Sequence, residues 1–263
     1  MRSDMTTLIQ PLPTQAGVAV TLTQCQLRYN TSDKPLFTQL NLTLPKGQWS
    51  CILGKSGCGK TSLLRLLAGL LDEQADWQGS LTASDHQPIE GRVAYMAQQD
   101  LLLPWLSVLE NVCLSSRFNP EQSAESSQVR ACELLNHVGL GDHIHARPES
   151  LSGGMRQRVA LARTLLQDKP IVLMDEPFSA LDAVTRHKLQ TLAATLLKDK
   201  TVLLITHDPQ EALRLGDQIL LMSGSPATMV SLPTPQGQAP RNYSAELAQH
   251  QQSIITRLEQ DYG

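Results

Sequence analysis

Gly54-Lys55-Ser56-Gly57-Cys58-Gly59-Lys60-Thr61 reads G-x-x-x-x-G-K-[ST] and stands between an apolar run, Trp49 to Leu53, and a Leu-rich run, Thr61 to Leu71. The flanks predict a strand entering the loop and a helix leaving it, which is the context a phosphate-binding loop needs. The glycines let backbone N–H groups converge on an anion with no Cβ in the way, and the helix that follows presents the positive end of its dipole. In such a loop Lys60 reaches the β- and γ-phosphates and the Thr61 hydroxyl binds Mg²⁺; Ser62, next along the helix, is counted with them. The stretch predicts a nucleoside triphosphate site.

The bulk of the chain fits a soluble enzyme. Its 263 residues, 41% of them hydrophobic, are enough for one large core or two small ones without disulfide staples. A formal charge of −3 gives no polyelectrolyte field for nucleic acid or for an acidic lipid surface. Any membrane contact is therefore expected through a protein partner. No stretch approaches the roughly 20 apolar residues of a spanning helix, and Met1-Arg2-Ser3-Asp4 is followed by too short an apolar run for a secretory signal. Cys25, Cys51, Cys58, Cys113 and Cys132 are odd in number and contain no C-x-x-C pair, so reduced thiols are expected. Cys58 occupies a wildcard position of the loop, as a small filler or as a thiol activated by the helix dipole. His143 and His145 lack a third ligand and receive no role.

Along the chain, residues 1–16 carry Pro11 and Pro13 without strand or helix period and read as a flexible N-terminal arm. Val18, Val20 and Leu22, then Leu40, Leu42 and Leu44, alternate with polar or small residues and predict strands with one buried face. Tyr29 closes the first of these regions, placed either to stack on an adenine ring or simply to pack. Short strands are expected at Gln78 to Leu81 and Arg92 to Met96, the latter followed by Gln98. Leu101-Leu102-Leu103-Pro104-Trp105-Leu106 holds too much apolar surface for a solvent loop, and Pro104 disfavours a continuous helix, so it reads as core or as a docking site. Val129, Cys132, Leu135 and Val138, at three-residue spacing, place a helical section between about 107 and 140.

A second Gly-rich stretch, Leu151-Ser152-Gly153-Gly154-Met155-Arg156-Gln157, opens another helix with Ser152 as its cap, making a second anion-receptive N-terminus. Ile171 to Met174 is an unbroken apolar run of the kind buried in parallel sheets, and it ends in Asp175-Glu176. Ligands bind at that end of open α/β sheets. Thr201 to Thr206, ending at His207, and Gln218 to Met222 predict further strands. With helices at about 183–198 and 208–215 between them, the pattern is a mostly parallel sheet with helices on both faces.

The phosphate loop, Gln98, Leu151-Ser152-Gly153-Gly154, Asp175-Glu176-Pro177, Ser179-Ala180-Leu181-Asp182 and His207, in this order, resemble the ATP-binding subunit of an ABC transporter from about residue 18 to 224. The resemblance implies an α/β fold with a P-loop NTPase core, an antiparallel β subdomain and a helical signature subdomain at about 99–160. The ATPase domain would span 17–230, and 231–263 would be a C-terminal extension with a short helix. It also implies roles. Gly54, Lys55, Ser56, Gly57, Cys58, Gly59, Lys60, Thr61 and Ser62 would hold ATP, and Tyr29 would stack on its adenine. Thr61, Gln98 and Asp175 would serve Mg²⁺, Glu176 would be the general base, and His207 would contact the γ-phosphate, while Gln98 and Lys60 complete the catalytic set. Two copies would form a head-to-tail homodimer in which Ser152, Gly153 and Gly154 of one cap the ATP of the other, with Asp182 linking the copies. Met155 stands where the family usually has Gln, which leaves the anion-binding Ser-Gly-Gly intact.

Leu102-Leu103-Pro104-Trp105-Leu106-Ser107-Val108-Leu109-Glu110-Asn111-Val112, Leu151 to Arg158, and an ending with Leu232-Pro233, Pro240-Arg241 and apolar Leu247, Ile254 and Leu258 are similar to the nitrate, sulfonate and taurine importer branch. That branch also includes carriers of thiamine pyrimidine precursors. It implies integral-membrane permease subunits, a soluble substrate-binding protein, no nucleic acid, and a peripheral place on the cytoplasmic face of the inner membrane. Hydroxymethylpyrimidine is the leading solute expectation, with a sulfonate, taurine or nitrate as the alternative. A soluble ABC ATPase outside transport would ordinarily carry two cassettes or a long coiled coil, and neither is present in the sequence. A small-molecule kinase would leave Leu151 to Met155 unexplained.

Overall fold

The computed structural model describes residues 15–71, 73–118 and 123–262. The first half of the chain folds as β1 (Val20–Tyr29), β2 (Phe37–Leu44), β3 (Trp49–Leu53), α1 (Lys60–Leu67), β4 (Ala75–Ala83), β5 (Val93–Met96), α2 (Val108–Val112) and α3 (Ala124–His137). The second half adds α4 (Gly153–Leu166), β6 (Ile171–Asp175), α5 (Ala183–Leu196), β7 (Thr201–Ile205), α6 (Pro209–Leu215), β8 (Gln218–Gly224), β9 (Ala227–Leu232) and α7 (Ala245–Tyr262). An antiparallel sheet runs β2-β1-β4, and a second sheet runs β5-β6-β7-β3-β8-β9, parallel except for β9 at its edge.

The central strands are buried on both faces, which is why they read as unbroken apolar runs. Alternate side chains serve two cores. Cys51, Leu53, Val172, Met174, Val202 and Leu204 point to the helical side, with α2 to α7. Ile52, Ile171, Leu173, Leu203 and Ile205 point to the other, where α1 and the antiparallel sheet close the core. The C-terminal ends of β3, β7 and β6 therefore stand side by side, and the phosphate loop, His207 and Glu176 leave from those ends.

Several expectations change. The helix after the loop stops at Leu67, not Leu71. Gly69, at φ 69°, donates to Leu66 O at 3.1 Å and Leu70 N–H donates to Arg65 O at 2.7 Å, a Schellman closure that leaves Leu70 exposed. On α3 the buried residues are Ser127, Ala131, Leu134 and Leu135, and Val129 is exposed. A three-residue spacing drifts around a helix of 3.6 residues per turn, and after nine residues Val129 and the capping Val138 lie on opposite sides. The C-terminal helix is not short: α7 has 18 residues, and Leu247 and Ile254 are buried in the main core. The expected boundary at 230/231 falls inside β9, an edge strand that the sequence reading did not place. Residues 1–14 of the expected arm lie outside the described residues, while Gln15 is tied through its carbonyl to Lys200 Nζ at 2.9 Å.

Candidate functional site

The loop leaves β3 through Gly54, where an added Cβ would stand 2.2 Å from the Met222 carbonyl oxygen, so no side chain fits. At its far end Gly59, at φ 106°, caps α1 in a conformation that favours glycine. Between them Lys60, only 8% exposed, folds its ammonium back over the loop and donates to Gly54 O at 2.7 Å and Lys55 O at 2.9 Å. Cys58 Sγ lies 3.9 Å from the same ammonium. Neutral carbonyls thus hold a buried cation beside the N-terminus of a helix, an arrangement receptive to an anion.

Opposite the helix start, Thr61 Oγ1 donates to Asp175 Oδ2 at 2.6 Å. Burial raises the Asp175 pKa; the Thr61 hydrogen bond opposes the rise, the neighbouring Glu176 carboxylate adds to it, and Lys60 and Arg65 oppose it. A cation bound there would relieve that cost, and the hydroxyl and carboxylate oxygens suit Mg²⁺. Among the described residues no group of three or more His, Cys, Asp or Glu forms a metal cage. Mg²⁺ does not need one, since it is usually held by one or two carboxylates with waters and substrate phosphates.

Glu176 follows in the left-handed region at φ 49°, with its N–H donating to Ile205 O at 2.9 Å. Its Oε2 accepts from Gln98 Nε2 at 3.4 Å and lies 3.1 Å from His207 Nδ1. Three residues from the ends of three neighbouring strands so meet at one carboxylate. The strained backbone at this position was not legible in the sequence, and such strain gathers where surrounding structure over-determines a functional side chain. A cavity of ≈ 320 Å³ joins these groups, walled by the loop, Gln98, Asp175 and Glu176, and by Tyr29 and Leu36 from the antiparallel sheet and its hairpin. Tyr29 Oη donates to Ser62 Oγ at 3.0 Å, which places the ring at the helix start.

Other expected residues stand apart. Lys55 and Cys58 face a separate cavity of ≈ 290 Å³ with Ser223, Gly224 and Ser225. Ser152 Oγ accepts from Met155 N–H at 3.3 Å and caps α4, but neither it nor Gly153 nor Gly154 lines the loop cavity of its own chain. Asp182 caps α5, accepting from Val184 N–H at 3.1 Å and Thr185 N–H at 3.0 Å, and those backbone bonds hold its pKa low.

Three residues that the sequence reading did not single out organise the surroundings. Gln157 links α4 to the loop after Glu176. Asn111 is wholly buried and bonds Leu103 N–H and the carbonyls of Leu103, Leu106 and Ser107. Glu211 lines one cleft with His207, buried beside Gln190, and burial pushes its pKa up to about 7. A buried polar side chain on an apolar helix face is the signal that could have found them.

The ABC transporter family profile matches residues 37–179. The chain belongs to the ABC transporter family. It is 45% identical over 227 residues to an uncharacterized ABC transporter ATP-binding protein of Haemophilus influenzae, a match covering 85% of this chain and 92% of that one. It is 37% identical over 254 residues, 94% of each chain, to the aliphatic sulfonates import ATP-binding protein SsuB 1 of Mesorhizobium japonicum. Among solved structures, the ATP-binding cassette MJ0796, a dimer in a post-hydrolysis state with ADP and Pi, superposes with a TM-score of 0.69 at 28% identity, covering 85% of this chain and 100% of that one. As an ABC transporter member the chain is an ATP-binding ATPase coupled to transmembrane transport. No helix among the described residues is long and apolar enough to cross a membrane.

Proposed function

We propose that this chain hydrolyses ATP as the peripheral motor of a solute importer, two copies acting head to tail on the cytoplasmic face of the inner membrane. The observation that carries the reading is the convergence of Gln98 and His207 on Glu176, next to the Thr61–Asp175 pair and the buried Lys60. Transfer of a γ-phosphoryl group to water needs an in-line nucleophile and compensation of charge on the equatorial oxygens, so positioning and electrostatics carry most of the catalysis. Lys60 and the loop N–H groups bind the phosphates, and Tyr29 and Leu36 lie where the base would rest. Glu176 takes the proton from the attacking water, held in place by Gln98 and His207. Thr61 and Asp175 would hold Mg²⁺, which when bound neutralises charge between the β- and γ-phosphates. Ser152, Gly153 and Gly154 would complete the partner's site, consistent with their distance from the cavity of their own chain.

Trp105, 66% exposed beside Leu101, supports docking of this loop on a permease subunit, which a soluble substrate-binding protein would load. The sulfonate relative favours an aliphatic sulfonate as solute over hydroxymethylpyrimidine. Calorimetry of the cognate binding protein with both compounds separates them, and exclusive binding of the pyrimidine would reverse that preference.

Glu176→Gln tests the motor. It keeps the shape of the site and removes the base, so MgATP should trap a dimer visible by size-exclusion chromatography while hydrolysis stops. A variant that hydrolyses ATP at the wild-type rate rules out Glu176 as base.

A further inference from the structure

The signature helix and the base are joined inside one chain by a single buried side chain. Gln157, on α4 five residues after the capping Ser152, is 6% exposed. Its Nε2 donates to the Glu176 carbonyl at 3.0 Å and is 3.4 Å from Ser179 Oγ, and its Oε1 accepts from Ala180 N–H at 2.9 Å. Ser179 adds its own hydroxyl to the Glu176 carbonyl at 3.1 Å. Gly154 brings the two segments together: a Cβ there would stand 3.0 Å from Ala180 O, so α4 lies directly on the loop 176–182. The peptide that Gln157 holds belongs to the one non-glycine residue lining the loop cavity with a left-handed backbone, at φ 49°. Such a conformation persists only where surrounding bonds impose it; Gln157 supplies one to the Glu176 carbonyl and a second to Ala180 at the far side of the same turn.

We propose that Gln157 is a positioning residue for Glu176, setting the peptide from which the base projects and tying it to the helix whose N-terminus serves the partner's nucleotide. This rests on Glu176 being the general base. Because Ser152 and Gln157 share α4, the occupancy of the partner's site is felt at this chain's own base through one helix and two hydrogen bonds. The two ATP sites of a dimer are then linked at their catalytic carboxylates.

The test uses the full-length chain with MgATP. Gln157→Leu keeps a buried side chain but neither bond, and kcat should fall about tenfold to a hundredfold with the KM for ATP within about twofold, since the phosphate loop is untouched. Gln157→Glu supplies a second readout. Ionised, its carboxylate repels the Glu176 carbonyl; protonated, it is isosteric with the amide and donates again. Its kcat relative to wild type should therefore recover as pH is lowered. On a Glu176→Gln background, Gln157→Leu should leave the residual single-turnover rate unchanged, because the group it positions is gone. A Gln157→Glu profile parallel to wild type, or an equal loss from Gln157→Leu with and without Glu176, overturns the proposal. Wild-type hydrolysis by Glu176→Gln alone would instead overturn the base assignment beneath it.

Discussion

Asp175 and Glu211 are both carboxylates almost shut off from water, 2% and 5% exposed, and they lead to different expectations. Asp175 faces the Thr61 hydroxyl and a cavity, so Asp175→Asn should weaken Mg²⁺-dependent triphosphate binding while metal-free nucleotide binding survives; titration calorimetry with and without Mg²⁺ reads this directly. Lys60→Ala removes the buried ammonium of the loop, the proposed partner of the β/γ-phosphates, and should abolish hydrolysis and strongly weaken ATP binding, though the loop N–H groups remain. Glu211 faces Gln190, Thr206, Asp208 and Arg186, and burial lifts its pKa to about 7 from an ordinary value of 4.5. The folded state then binds the proton more tightly than the unfolded chain, so this residue lowers stability as pH rises through that interval. Glu211→Gln keeps an acceptor for Gln190 and removes the ionisation. It should gain on the order of 2–3 kcal/mol relative to wild type between pH 5 and pH 8 in urea unfolding. An equal difference at both pH values would show that Glu211 does not titrate there.

The segment from Leu101 to Ser107 shows how an irregular element is held. It forms no helix, as Pro104 requires, and its shape comes from Asn111 on α2, whose amide satisfies four backbone groups of the loop. Arg163 on α4 adds bonds to Asp100 O and to Leu101 O at 2.9 Å, and Arg156 pairs with Asp100 at 3.0 Å. The loop is thus fixed from beneath while Trp105 stays exposed. Trp105→Ala should impair assembly with the permease, where losing an aromatic anchor typically costs about 2 kcal/mol or more, and should leave ATP binding by the isolated subunit intact. Normal assembly and transport by this variant would make Trp105 a bystander. Asn111→Leu leaves Leu103 N–H and Leu106 O without the side-chain partner that holds them and should loosen the same loop, read as faster proteolysis near Trp105.

The molecule is centred on a mostly parallel sheet whose middle strands are buried on both faces, with an antiparallel sheet beside it, and the last segment belongs to the core. Arg241 Nη1 donates to Leu213 O at 3.1 Å and Gly216 O at 2.8 Å at the end of α6, while Leu247 and Ile254 fill the core from α7. Ile254→Ala should cost about 2–4 kcal/mol in urea unfolding, and no change would mean that α7 is dispensable. At the scale of the assembly, Ser152→Arg puts bulk at the end of α4 that the proposed head-to-tail dimer turns toward the partner. It should abolish the dimer trapped by Glu176→Gln without altering ATP binding by the separate chain.

Local chemistry determined much of this protein in advance. The phosphate loop and the acidic strand end each need particular residues at fixed spacing, and β3, β6 and β7 appear where their apolar runs stand, because a strand buried on both faces must be apolar throughout. The Ser152 cap was legible for the same reason, since a helix start announces itself within a few residues. Tertiary structure alone decided the left-handed Glu176, the joint roles of Gln157 and Asn111, the raised pKa of Glu211, and the incorporation of β9 and α7 into the main body. All but the role of Asn111, whose partners lie 4 to 8 residues away, depend on groups far apart in the chain. A glutamine becomes a brace, and a glutamate titrates near neutrality, only after distant segments have removed the water and supplied the partners.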